Sequence, residues 1–567
     1  MQVKVRGLLP SYTVQSRSTD PVMVFNIQFP VSQDRYSPML NVLPVVQKAL
    51  SAKEHPTFRN GWFACMLSPT AESNELQTKL NPWKFDRPFF DNALNREQKK
   101  AVESVCSQDY GCIPYLISGP PGTGKTKTLV ETALQLIHNV DGIDHILFCA
   151  PSDQAADTLV QRLAPHLRLD ELLRLNRASR TFAEVSDKVL LFCYIANNTF
   201  SLPPLRQMMK YRIVVTTCRD AALLMYARLT NMDLYAVEKG LLDALYPDEH
   251  IPQRQKIKPH WTALLMDEAA QAIEPEALIA ISVIAPPSCV KELTVKPIFV
   301  LAGDEHQLGP RTALRSSPLK TSLFARLFAR PVYKNHPLAR GAAGRALPML
   351  TKAMLPIRRP AFANLNKNYR SHPAILAVPS SLFYADTLEP EATDTDRLSS
   401  WAGWRGKKWP VLFYSNNSAD DLEADGGGWF NKGEAEIACN YAARLVSSGL
   451  VKQEEICIMS PFKSQVQVLR RTIRDKKYGA LYGVDIGPME VFQGLERGVV
   501  ILCTTRSRQK YVSNDQELDW GIVGLPNKMN VALTRAKFGL IVVGSKNILM
   551  SDPNWKAFVD FCTRNGS

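Results

Sequence analysis

The sequence predicts an α/β fold with two parallel sheets flanked by helices, together with an N-terminal accessory segment and a helical insertion. Three observations predict this fold. A glycine-rich, phosphate-binding pattern at 119–126 lies between a short apolar run and a helix-like run. Short apolar runs then alternate with helical stretches, as buried parallel strands do. After about residue 330 a second series of apolar runs follows, without a phosphate loop of its own.

The chain is long and basic. Its 567 residues suggest about three or four domains of typical size. The net charge of +14, from 68 basic and 54 acidic residues, favours a polyanionic partner, although a generally basic solvated surface would give the same count. The 11 cysteines form no zinc-type cluster, so we expect reduced thiols and an intracellular location, cytoplasmic rather than nuclear. No apolar run approaches the ~18 residues of a membrane span, so no membrane contact is expected.

We divide the chain into three parts. Residues 1–93 are predicted to be an accessory segment with a few strands, one of them near 22–27. Residues 94–330 form the first α/β domain, with an insertion at about 163–260, and residues 331–567 form the second. The accessory segment ends in an aromatic group that could stack on bases or pack against the next domain: Trp83, Phe85, Phe89 and Phe90.

The phosphate loop reads Gly-Pro-Pro-Gly-Thr-Gly-Lys-Thr. Its glycines let backbone N–H groups converge on one anion, and the following helix N-terminus adds its positive dipole end. Lys125 is expected to reach the outer phosphates of a nucleotide, and the Thr126 hydroxyl to hold Mg²⁺. The predicted nucleotide-binding residues of this loop are Gly119, Pro121, Gly122, Thr123, Gly124, Lys125 and Thr126.

Polar residues follow two later apolar runs of the same half. Asp267 is expected to hold Mg²⁺ through its waters, and Glu268 to act as general base on the attacking water. A solvated acidic pair is the alternative, but the phosphate loop in the same predicted sheet favours catalysis. Gln307 comes after the next run, where it could sense the γ-phosphate. Gln98, upstream of the loop, has the paired donor and acceptor that could read an adenine edge.

The second half contributes two arginines, Arg370 and Arg535. A sheet without its own phosphate loop needs such residues if it faces the first sheet across a cleft. A guanidinium is permanently charged and bidentate, which suits the charge that develops on a transferring phosphoryl group. A surface ion pair is the alternative for either arginine alone.

The ordered motifs resemble those of superfamily-one helicases. The segments concerned are 119–126, 267–270, 303–307, 368–373, 491–496 and 530–537, and the likeness runs over residues 94 to 550. The branch they resemble is that of the nonsense-mediated-decay RNA helicase and its silencing-associated, Armitage-like relatives. The resemblance implies two RecA-like P-loop domains that bind ATP in the cleft between them and single-stranded nucleic acid across their top. It also implies a monomer that moves 5′ to 3′, RNA rather than DNA, and RNA-silencing or RNA-decay partners.

The resemblance assigns further roles. Gln98 would contact adenine and Tyr369 would stack on it, while Gln307, Arg370 and Arg535 would surround the γ-phosphate with Glu496 nearby. The implied nucleic-acid track comprises Pro151, Ser152, Thr216, Thr217, Ser460 and Pro461. Asp153 departs from the pattern, because relatives often have Asn there, and it places a negative charge near that track. An ATP-gated RNA clamp or scaffold, and a DNA helicase, remain as alternative functions.

Overall fold

The computed structural model describes residues 36–51, 61–80, 87–246, 256–287, 292–312, 317–406, 409–423, 428–479, 481–492 and 494–567. Two parallel sheets flanked by helices dominate this part of the chain, so the predicted fold class is confirmed. The strand predicted near 22–27 and the side chains of Trp83 and Phe85 lie outside the described residues.

The first sheet has seven parallel strands in the order β7-β1-β6-β5-β2-β4-β3. In chain order they are β1 Tyr115–Ser118, β2 His145–Ala150, β3 Leu172–Arg174, β4 Ile213–Thr217, β5 Trp261–Met266, β6 Ile298–Gly303 and β7 Phe362–Asn364. The central strands are buried along their whole length, because helices cover both faces of a parallel sheet.

The second sheet has five parallel strands in the order β8-β12-β11-β9-β10. These strands are β8 Val411–Ser415, β9 Ile456–Ser460, β10 Asp485–Pro488, β11 Arg497–Cys503 and β12 Ala536–Gly544. Alternate side chains of β11 enter two different cores: Val499 and Ile501 on one face, Val500 and Leu502 on the other. This period of two is what a strand buried on both faces requires.

Helices connect the strands of both sheets. In the described residues they are α1 Ser37–Ser51, α2 Trp62–Leu67, α3 Arg96–Ser107, α4 Lys125–Asn139, α5 Asp153–Leu163, α6 Asp187–Leu190, α7 Leu205–Met208, α8 Ala222–Tyr226, α9 Asn231–Leu245, α10 Glu274–Ile284, α11 Leu323–Phe328, α12 Pro331–Lys334, α13 Pro373–Phe383, α14 Lys432–Ser447, α15 Lys463–Thr472, α16 Val512–Glu517, α17 Pro526–Leu533, α18 Lys546–Leu549 and α19 Pro553–Arg564. Among these residues, none of the helices is both long and apolar enough to cross a bilayer.

The predicted insertion and domain boundary differ from the structure. The stretch 163–260 contains β3 and β4, which complete one edge of the first sheet. The first sheet also takes β7 from beyond residue 330, because β1 has a free edge that this strand fills. The division between the two sheets therefore falls near residue 368, and not at 330.

In the described part of residues 1–93, where a few strands were predicted, α1 and α2 are accompanied by one two-residue strand, Leu76–Gln77, which pairs antiparallel with Ile357–Arg358. Met39 and Val42 of α1 and Trp62 of α2 join the core of the first sheet. Phe89 also packs against that core, and the Lys99 ammonium lies 5.2 Å from the centre of its ring. Packing is therefore the role the structure shows for this aromatic residue.

Candidate active site

The phosphate loop joins β1 to α4 at the carboxyl edge of the first sheet. Gly124, just before α4, has φ +84°, and a Cβ added there would lie 2.4 Å from Nε2 of Gln98, so only glycine fits. The Lys125 ammonium folds back and donates to the Gly119 carbonyl at 2.7 Å. The ammonium and the N-terminus of α4 thus face one concave space, which suits an anion.

Thr126 and Asp267 are in direct contact. The Thr126 hydroxyl donates to Oδ2 of Asp267 at 2.6 Å, and the Glu268 N–H donates to Oδ1 at 2.9 Å. Burial, with the neighbouring Glu268 charge, raises the pKa of Asp267 to about 6. A divalent cation would favour the ionised form, and hydroxyl and carboxylate oxygens are the ligands that Mg²⁺ prefers. The donor set therefore fits Mg²⁺.

Glu268 lies on the cleft wall in an unusual backbone conformation. Its φ of +49° is in the left-handed region, which is uncommon for a residue with a Cβ and often marks a functional site. Its Oε2 accepts a hydrogen bond from the Gln271 amide at 2.9 Å. The carboxylate is thus oriented at the cleft, where a general base is needed.

The second sheet supplies the opposite wall. Arg535 precedes β12 and donates through Nη2 to Oε1 of Gln307 at 3.0 Å. Burial, with the nearby Arg370 charge, lowers the pKa of Arg535 to about 9, so its guanidinium is still charged at pH 7. Arg370 donates to Glu496 at 2.7 Å. Although burial opposes it, the charges of Arg370 and Lys537 hold the pKa of Glu496 below its ordinary value.

The segment around Asn368 ties the two walls together. The Asn368 amide donates to the Pro121 carbonyl at 2.6 Å, and the Tyr369 N–H donates to the Gly122 carbonyl at 2.9 Å. On the other side, the Ser371 hydroxyl donates to the carbonyl of Ala536, at the start of β12, at 2.6 Å. The phosphate loop and the second sheet are therefore linked through four consecutive residues.

The resulting cleft has a volume of about 290 Å³. It brings together most of the predicted nucleotide-site residues: Pro121, Gly122, Thr123, Gly124, Lys125, Thr126, Glu268, Gln307, Tyr369, Arg370, Glu496 and Arg535. Sequence reasoning missed Lys127, Arg162 and Gly494, which also line it. Arg162 lies in α5, where no motif signals a role. Gly119 and Asp267 lie directly behind the lining residues, to which they hydrogen-bond.

Gln98 occupies a different place from the predicted adenine contact. It is 1% exposed and closes a capping box, in which its Oε1 accepts from the Asn95 N–H at 2.9 Å. Its amide N–H donates to the Thr123 carbonyl at 3.0 Å. In this structure Gln98 therefore supports the phosphate loop from behind. Tyr369 is 45% exposed, so its ring is accessible for stacking.

The predicted nucleic-acid track is divided. Thr216, Thr217 and Ser460 are buried, and their hydroxyls bond to Leu175 O, Asp220 N and the Thr505 hydroxyl respectively. These three side chains support the strand ends from inside. The remaining residues of the set reach the surface: Pro151 and Pro461 are half-buried, and Ser152 is exposed.

Asp153 does not present an isolated negative charge beside the track. Arg174 donates to it at 2.9 Å and Arg177 at 2.8 Å. Although burial opposes it, these arginines hold the pKa of Asp153 below its ordinary value. The carboxylate is consequently neutralised within the protein, and the arginines fasten the β3 region to α5.

Comparisons with known proteins match most of the chain. Two family models, each described as an AAA domain, match residues 93–228 and 349–547. RNA helicase Mov10l1 of Homo sapiens is 32% identical over 84% of this chain and 36% of its own length. The probable RNA helicase armi of Drosophila melanogaster is 27% identical over 84% and 39%. ATP-dependent helicase upf1 of Schizosaccharomyces pombe is 30% identical over 83% and 47%. The chain thus spans less than half the length of each of these relatives.

Proposed function

Since the chain belongs to the branch of RNA helicases that contains Mov10l1, Armitage and Upf1, we propose that it is an ATP-driven helicase or translocase that acts on RNA. The observation that carries the proposal is the shared cleft. A phosphate loop with Lys125 and Thr126 lines one wall, and Arg370 and Arg535 line the other. A site completed by two sheets couples nucleotide occupancy to the way those sheets meet.

Each cleft residue has a distinct part in the proposed hydrolysis. Glu268 takes the proton from the water whose oxygen attacks the γ-phosphorus, and the bond to the β–γ bridging oxygen breaks. Lys125 and Arg535 stabilise the charge on the phosphoryl oxygens. Thr126 and Asp267 would hold Mg²⁺, which would neutralise part of the phosphate charge. Tyr369 is the accessible aromatic ring for adenine.

The substrate follows from the relatives and from the charge. The net charge of +14 suits a polyanion, and phosphate contacts supply most of the affinity for a single strand. We propose RNA because two of the matched relatives, Mov10l1 and armi, are named RNA helicases. We also propose that the protein is a monomer that moves from 5′ to 3′. We place it in the cytoplasm, with partners from RNA silencing or RNA decay.

An ATPase assay with and without single-stranded RNA tests the chemistry. Wild-type protein should hydrolyse ATP faster when RNA is added, whereas Lys125→Ala and Glu268→Gln should lose at least about 100-fold, since the first removes the charge that stabilises the phosphoryl oxygens and the second removes the base that takes the proton from water. Lys296→Ala, at an exposed lysine remote from the cleft, is the matched control and should leave turnover unchanged. Undiminished turnover in both cleft variants would exclude the mechanism.

A strand-displacement assay separates the possible uses of that energy. The proposal requires displacement from RNA duplexes with a 5′ overhang and none from those with a 3′ overhang. ATP turnover without displacement on either substrate would indicate a clamp or scaffold instead. Stimulation by DNA that equals stimulation by RNA of the same sequence, across a salt series, would indicate a DNA helicase.

A further inference from the structure

Five side chains are joined by four hydrogen bonds across the boundary between the two sheets, and the backbone from Asn530 to Arg535 closes them into a ring. The Asn530 amide of α17 donates to the Tyr384 hydroxyl at 2.6 Å, and that hydroxyl donates to Oδ2 of Asp304 at 2.8 Å. The Gln307 amide donates to the same oxygen at 2.8 Å. Arg535 donates to Oε1 of Gln307 at 3.0 Å, and it follows Asn530 by five positions, which closes the ring.

The direction of every hydrogen bond in this ring is fixed. An ionised carboxylate only accepts, so Tyr384 and Gln307 must both donate to Asp304. The Tyr384 oxygen must then accept from Asn530, whose second N–H donates to the His306 carbonyl at 2.9 Å. Because its N–H₂ group faces Asp304, Gln307 must present its amide oxygen to the guanidinium. The ring thus determines which end of the Gln307 amide faces Arg535.

Burial makes this orientation hard to change. Tyr384 is 1% exposed and Asn530 is fully buried, and burial raises the pKa of the Tyr384 hydroxyl well above its ordinary value. The hydroxyl therefore keeps its proton and remains a donor. Only Gln307 and Arg535 of the ring line the cleft, so Tyr384 reaches the nucleotide site through them and does not contact it.

We propose that Tyr384 is a positioning residue for the hydrolysis proposed above: its hydroxyl orients Asp304 and thereby holds the amide of Gln307 towards Arg535. This inference rests on the proposed function and deepens it. Without the hydroxyl, the phosphate loop is intact, but Asn530 loses a partner, and Asp304 keeps only the His306 N–H on Oδ1 and the Gln307 amide on Oδ2. The carboxylate, and with it the amide of Gln307, is then less firmly oriented. The rate of hydrolysis then falls, while ATP binding at Lys125 is retained.

The test compares Tyr384→Phe with Tyr333→Phe. Tyr333 is equally buried, at 1% exposure, and its hydroxyl, like that of Tyr384, donates one hydrogen bond, in this case to the Pro114 carbonyl at 2.7 Å, away from the cleft. We expect kcat to fall about tenfold or more in Tyr384→Phe, with KM for ATP within about twofold of wild type. Tyr333→Phe should lower Tm to a similar extent and leave kcat unchanged. Wild-type kcat in Tyr384→Phe, or an equal loss in both variants, would overturn the proposal.

A double variant tests the route of the effect. If Tyr384 acts through Gln307, then Tyr384→Phe should have no further effect on kcat in a Gln307→Ala background. The same tenfold loss in that background would show that Gln307 does not transmit the effect, and the proposal would fail.

Hydrogen exchange of the nucleotide-free protein separates this inference from the proposed function. Amides of 304–307 and α17 should exchange faster in Tyr384→Phe than in wild type or Tyr333→Phe. If wild-type protein does not hydrolyse ATP, the proposed function fails, yet exchange still decides whether the hydroxyl holds the ring. Unchanged exchange would show that it does not.

Discussion

Replacement of Asp267 by Asn should stabilise the nucleotide-free and metal-free protein at pH 7. Burial and the Glu268 charge raise the pKa of Asp267 from 3.8 to about 6. The folded state therefore binds the proton more tightly, and the stability this confers at low pH is lost as the pH rises through about 6. A difference of about two pH units corresponds to a cost on the order of 3 kcal/mol at pH 7.

The Asn side chain avoids this cost without losing its hydrogen bonds. Its oxygen can accept from the Glu268 N–H, and its amide can donate to the Thr126 oxygen. The free energy of unfolding should therefore rise by an amount approaching this ~3 kcal/mol cost at pH 7, and the difference should disappear near pH 4. Hydrolysis of ATP should be lost at the same time, since the carboxylate that suits Mg²⁺ is gone.

Asp420→Asn is the matched control, because it should give the opposite result. Asp420 is also fully buried, but Ser507, Arg506 and Arg508 donate to it and, against the effect of burial, hold its pKa below the ordinary value. The substitution removes one of the two carboxylates around the buried Arg506, which keeps Asp515, and it removes the charge that Arg508 binds, so it should cost about 1–3 kcal/mol. Urea denaturation at pH 7 and pH 4.5 measures both variants. A destabilisation of Asp267→Asn at pH 7 equal to that of Asp420→Asn would refute the reasoning.

Three further outcomes are expected. Arg535→Ala should leave ADP affinity within about threefold and reduce ATP turnover by 10²-fold or more, measured by calorimetry and phosphate release, since the proposed mechanism has this arginine act on the γ-phosphate alone. A parallel loss of ADP binding would contradict this. Arg174→Ala should cost about 1–3 kcal/mol in urea denaturation, because Asp153 and Asp157 each lose one of their arginine partners, whereas Arg168→Ala at an exposed position should cost under about 1 kcal/mol. Burial raises the pKa of Glu434 to about 8, so the free energy of unfolding of the wild-type protein falls as the pH rises through 8. Glu434→Gln lacks this titration and should therefore gain stability relative to wild type between pH 6 and pH 9. A pH-independent difference would argue against a protonated native carboxyl.

The chemistry of the cleft could be predicted from sequence because short motifs carry it. The phosphate loop, Glu268 and Gln307 follow apolar runs that become neighbouring strands, and parallel strands bring their carboxyl ends to one edge. Arg535 could be placed opposite them only because the second half lacks a phosphate loop of its own. In each case the residue type and its place after or before a strand define one chemical role.

What sequence did not predict depends on long-range pairing and side-chain direction. Strand β3 has three residues, and β7 joins the first sheet across more than two hundred residues of chain, so neither has a local signal. Strands β4 and β9 are buried on both faces, so the burial of Thr216 and Ser460 depends on the segments that pack over the strand ends, and no local pattern reports that packing. The position of Gln98 upstream of the phosphate loop suits an adenine contact, but the same residues, Asn95 to Gln98, also suit a helix capping box. In the structure the Gln98 amide takes part in the capping box.

The seventh strand of the first sheet affects how the chain could be divided into pieces. β7 covers the edge of β1, the strand that leads into the phosphate loop, and it lies only a few residues before Asn368. A gene fragment that stopped at residue 330 would leave that edge unpaired, and an unpaired edge is a template for aggregation. The two halves are therefore interlocked modules: recombination or truncation between them preserves both sheets only if the cut falls after β7, next to the segment that holds the cleft together.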